Sequence, residues 1–123
     1  GQIVDSAIVV HSLLGPGLLE SAYEAALTHE LTGRGIDVQQ QVSMPLEYKG
    51  VHLEKGYRLD MLVGSRLIVE IKCIGAIHDI HVKQLLTYLR LSDLRIGLIL
   101  NFRVRLMKEG IKRVVDFDKP GLL

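Results

Sequence analysis

The reading turns on Tyr57-Arg58-Leu59-Asp60-Met61-Leu62-Val63-Gly64-Ser65-Arg66-Leu67-Ile68-Val69-Glu70-Ile71-Lys72-Cys73. Two apolar, strand-like runs, Tyr57–Val63 and Leu67–Cys73, flank Gly64-Ser65-Arg66, a natural turn. Each run carries charge. Strand side chains alternate between faces, so Glu70 and Lys72 share a face with Ile68, while Leu67, Val69, Ile71 and Cys73 point the other way. A carboxylate and an ammonium on an apolar strand are costly unless paired, solvated or bound to metal.

The length of the turn decides whether the acids meet. A three-residue loop sets Val63 against Leu67 and Asp60 against Glu70, with Cβ atoms about 4.5–5.5 Å apart. A two-residue loop sets Asp60 against Val69 and parts the carboxylates. Apolar pattern does not choose, since both faces are rich in Leu, Ile and Val. The odd-length loop is preferred because it accounts for both acids. Close carboxylates repel unless a proton or cation lies between them. The expectation is a divalent metal site, Mg²⁺ or Mn²⁺ rather than zinc, from hard oxygen donors and a lone cysteine.

Composition bounds the rest. The chain of 123 residues suits one domain, 1–123. A hydrophobic share of 48% supports a packed core. Neither a transmembrane run nor a signal peptide is visible, and the single Cys73 suits a reducing cytoplasm. Net charge of +1 is a weak signal for nucleic acid, although cations gather in the C-terminal half between Lys72 and Arg113. On composition alone an ordinary solvated surface explains them.

Periodicity gives helices over Gln2–Leu14, Leu18–Arg34 and His78–Leu91. In the first, Ile3, Ala7 and Leu14 fall at helical spacing beside Val4, Ile8 and His11. Strands are expected over Asp37–Tyr48, with Pro45 marking an edge or bend, over the central pair, and over Arg95–Phe102 and Arg113–Phe117. Val51–Lys55 reads as a short separate segment after a Lys49-Gly50 turn. The order ααβββαββ implies an α/β fold, helices layered on a mixed sheet.

Two helices offer further site residues. Glu20 shares a stripe with Tyr23, Leu27 and Leu31, which predicts that it is at least half buried; a plain helix-dipole role is the competing account. His81, Gln84 and Tyr88 share a face of the third helix, either orienting a water or phosphate or forming a solvent-facing stripe.

Asp60 with Glu70-x-Lys72 resembles the signature of the PD-(D/E)XK nuclease superfamily. Gly17-Leu18-Leu19-Glu20-Ser21-Ala22-Tyr23 fits the Gly-x-x-Glu-x-x-Tyr motif of its GxxExxY family. Gln84-Leu85-Leu86-Thr87-Tyr88 is similar to the Gln-x-x-x-Tyr motif of RecB-like nucleases, and Gly97–Phe102 to the late core strand. Leu59 stands where the signature has Pro. The resemblance implies a restriction-endonuclease-like core, a mixed central sheet flanked by helices. It implies that Asp60, Glu70 and the Ile71 carbonyl bind Mg²⁺ or Mn²⁺, with Glu20 joining directly or through water. Lys72 would position the attacking water and offset charge on the phosphorane, and Gln84 and Tyr88 would support the site or touch DNA. The expected activity is hydrolysis of nucleic acid, DNA before RNA. The alternatives are an inactive module that binds nucleic acid or a protein partner, and a purely structural ion-pair cluster of Asp60, Glu70 and Lys72. A homodimer would join two modest basic patches into one groove.

Overall fold

A computed structural model describes residues 1–118; residues 119–123, part of the domain expected over 1–123, lie outside it. Two helices lead, α1 (Gln2–Leu14) and α2 (Glu20–Gly33). Strands β1 (Val38–Tyr48), β2 (Val51–Val63) and β3 (Leu67–Lys72) follow, then α3 (Asp79–Ser92), β4 (Ile96–Asn101), a 3₁₀ turn (Met107–Gly110) and β5 (Ile111–Val115). The order ααβββαββ is as expected. The sheet runs β1-β2-β3-β4-β5, antiparallel except for the parallel β3–β4 pair that α3 connects.

Helices cover both faces. Ala7 and Val10 of α1 and Tyr23, Leu27 and Leu31 of α2 pack on Met61, Val63, Val69, Ile71, Leu98 and Leu100. Leu85 and Leu89 of α3 pack on Leu59, Ile68, Ile99 and Val114 across the sheet. Gly97 lets α3 approach: a Cβ there would stand 2.9 Å from both Leu85 methyls. The inward stripe of α1 is Ile3, Ala7, Val10 and His11; Ile8 and Leu14, placed inward by spacing, are exposed. Helix α2 begins at Glu20, two residues later than expected, because Gly15-Pro16-Gly17 and Leu18 form the preceding turn.

Turns set the register. Lys49 and Gly50, both with positive φ, join β1 to β2 as a two-residue loop closed by the Tyr48–Val51 pair. Val51–Lys55 is therefore no separate segment but the start of the 13-residue β2. Pro45 lies on the edge strand at a register shift between Met44 and Leu46, where its missing N–H costs no central ladder bond. Gly64-Ser65-Arg66 forms the three-residue loop, with Val63 opposite Leu67.

Along β1 and β2 the alternation of faces breaks once. Val38, Met61 and Val63 face α1 and α2, yet Val42, Leu59 and Tyr57, two and four residues along in the same parity, face α3. The break falls where pairing skips Gln41 and Asp60, and Gln41 has φ 51°. This irregularity turns Asp60 out of both apolar layers.

Candidate active site

Antiparallel pairing of β2 with β3 ends at Met61–Val69. One residue further, side chains replace the ladder. The Asp60 amide donates to Glu70 Oε2 at 2.9 Å, and the Ile71 amide donates to Asp60 Oδ2 at 2.9 Å. The two carboxylates thus meet, as the odd-length loop requires, but they bind main chain rather than forming a further ladder pair. Each spends one oxygen on an N–H; its second oxygen makes no hydrogen bond to a described residue. A strand residue sends its N–H and C=O out on the same side. The Ile71 carbonyl is therefore directed toward β2 and Asp60, beyond the end of the ladder.

Electrostatics mark Glu70. The residue is 5% exposed, and its pKa is pushed up to about 7, first by burial and then by the negative charge of Asp60. Lys72 opposes that rise, but no salt bridge within 4.0 Å joins it to either acid. No direct ion pair therefore holds Lys72 to either acid. Tyr88 is half-buried, stacked on Tyr57 with ring centroids 5.0 Å apart. Burial raises its pKa, and the charges of Glu70 and Asp60 raise it further, which places α3's Tyr88 within electrostatic reach of both.

The remaining expected residues are placed unevenly. Glu20 is exposed, not half buried, because the α2 stripe turns inward only from Tyr23 onward. It still lines an open cleft of about 690 Å³ with Glu24, Gln41, Arg58, Asp60 and Ile71. Ile71 borders that cleft although the residue is only 1% exposed. Gln84 is exposed and makes no hydrogen bond to a described residue. Through Nδ1, His81 accepts the His78 amide at the start of α3, which is a capping role.

One acid escaped the sequence reading. Glu24 is buried and accepts Gln40 Nε2 at 2.9 Å and Gln41 Nε2 at 2.7 Å. It faces the same cleft and adds to the upward push on Glu70. Its signal was available: Glu20, Glu24, Leu27 and Leu31 fall at i, i+4, i+7 and i+11.

The motif from Gly17 to Tyr23 has a structural role in delivering Glu20. Tyr23 is fully buried and stacked on Phe102, with centroids 4.5 Å apart. Its hydroxyl donates to the Gly15 carbonyl at 2.5 Å and accepts the Leu18 amide at 3.1 Å. Gly17 has φ 107°, which a side chain would resist. Together they fix the turn before α2.

These donors fit a hard divalent cation: two carboxylates with an unused oxygen each, and a main-chain carbonyl. Among the described residues no three His, Cys, Asp or Glu side chains gather closely enough to share an ion, and Glu20 stands at the rim of the cleft that Asp60 lines.

A mixed sheet between helical layers, with acids where the β2–β3 ladder ends, is a restriction-endonuclease-like α/β fold. The sequence model of the PD-(D/E)XK nuclease superfamily matches residues 1–114, and the chain belongs to that superfamily. No curated protein and no solved structure matches it significantly. Membership implies a nuclease-like function and nucleic-acid binding, and nucleases of this superfamily generally use divalent metal ions. No helix of the described residues is long and apolar enough to cross a membrane.

Proposed function

We propose that this chain, as one domain, hydrolyses phosphodiester bonds in nucleic acid, DNA in preference to RNA, with Mg²⁺ or Mn²⁺. The observation that carries the reading is the meeting of Asp60 and Glu70 where β2 and β3 part, with Lys72 two residues on. A bound cation would neutralise phosphate charge and acidify a water. Asp60, Glu70 and the Ile71 carbonyl hold it. Lys72 places positive charge beside the scissile phosphate and orients the attacking water. Glu20, at the rim of the cleft, joins the metal site directly or through water, and Tyr88 and Gln84 support the site from α3. We assign the chain to the GxxExxY family on the Gly17–Tyr23 motif, place it in the cytoplasm, and expect a homodimer that joins two basic surfaces.

A second reading, a module that binds nucleic acid or a protein without cutting, is favoured by one observation: Glu20 stands exposed, outside a shared ligand cluster. Cleavage of single- and double-stranded DNA in Mn²⁺ separates the two. Activity lost in Lys72→Ala and Asp60→Asn supports the nuclease. The same trace activity in wild type and both variants overturns it.

A further inference from the structure

We propose that Leu18 and Leu19 form an apolar wedge that enters a nucleic-acid duplex between bases and feeds a parted strand to the Asp60 cleft. The inference rests on the nuclease reading and assigns its substrate-opening element. Leu19 is 76% exposed and lines the cleft together with Glu20, Arg58 and Asp60. Leu18 beside it is also exposed, as are Leu13 and Leu14 at the end of α1. Single exposed leucines are ordinary, but four around one turn are not.

The turn is held so that these side chains stay out. Tyr23, anchored in the core against Phe102, ties the Gly15 carbonyl and the Leu18 amide together through its hydroxyl. Pro16 stiffens the segment, and Gly15 and Gly17 fix its path at φ 70° and 107°. These ties hold the turn in the conformation that leaves its leucines exposed.

What occupies the patch follows from its neighbours. It is continuous with the cleft lining, where exposed Arg58 suits a backbone phosphate. In a nucleic acid the bases are the main surface that accepts an apolar side chain, and Leu is among the residues that part base steps.

The test uses the full chain and a duplex carrying one 2-aminopurine, titrated without divalent metal. Fluorescence is expected to rise as the wild type binds. The Leu18→Ser/Leu19→Ser double variant, altered only at exposed positions, is expected to bind yet leave fluorescence at the free-duplex level, whereas Leu19→Met keeps the rise. In Mn²⁺ the ratio of duplex to single-strand cleavage is expected to fall about tenfold in the double variant. Equal rises in wild type and double variant, no rise on wild-type binding, or no binding overturn the wedge. Loss of a self-associated species in the double variant, with the rise unchanged, assigns the patch to a second copy and also overturns it. A rise confined to the wild type without cleavage by any form supports the wedge and overturns the nuclease reading instead.

Discussion

The amide of Asp60 is hydrogen-bonded to the carboxylate of Glu70 at 2.9 Å, one residue past the last ladder pair of β2 and β3. A side chain thus takes over where the main-chain ladder between β2 and β3 ends, and two acids are brought together there. The charge of Asp60 is the second cause of Glu70's raised pKa. Removing that charge should bring the Glu70 pKa down from about 7, while burial keeps it above the ordinary 4.5. Carboxyl-carbon NMR titration of metal-free Asp60→Asn measures this; an unchanged Glu70 midpoint contradicts the pairing.

Glu70 also makes folding depend on pH. Its folded pKa of about 7 exceeds the ordinary 4.5, so the folded state holds the proton more tightly. The stability it contributes is fully present below 4.5 and is lost as pH rises through about 7. The full loss is on the order of 3 kcal/mol. Glu70→Gln should remove this loss, making the metal-free protein more stable than wild type above neutrality. Urea unfolding of both forms in acid and at alkaline pH checks the sign; parallel stability profiles count against it.

Tyr23→Phe keeps the stacking on Phe102 and deletes both hydroxyl hydrogen bonds, leaving the Gly15 carbonyl and Leu18 amide without that partner. The expected cost is about 1–3 kcal/mol. Amide exchange should accelerate at Leu18, because its partner is gone, and remain slow in β4. Uniform acceleration throughout the chain would instead mean that the hydroxyl serves general stability.

Much of this arrangement was legible in the sequence, and the exceptions share a cause. Asp60 and Glu70 could be paired by preferring the odd-length loop, which accounts for both acids, and Gly64 and Ser65 take the positive φ of that loop. The helices followed from apolar spacing and the Gly breaks. Alternation could not show the exchange of faces at Gln41 and Asp60, since a local irregularity resets parity and both faces are apolar. The unity of β2 was hidden because Val51–Lys55 and Tyr57–Val63 read as separate segments; Gly56 between them lies close against Leu46 beside the bulge. Glu24 was passed over because a buried carboxylate needs donors, and Gln40 and Gln41 come from another element. Glu20 was placed too deep because its stripe was extended one turn beyond the helix's buried part.

The central claim, that Asp60 and Glu70 hold a divalent cation, is tested most directly by Mn²⁺ binding to the purified chain, followed calorimetrically at pH 8, above Glu70's midpoint of about 7. The wild type should bind Mn²⁺, and Asp60→Asn should weaken binding at least about tenfold, as loss of a charged oxygen ligand requires. Equal affinity in wild type and Asp60→Asn, or no binding by either, would contradict the account.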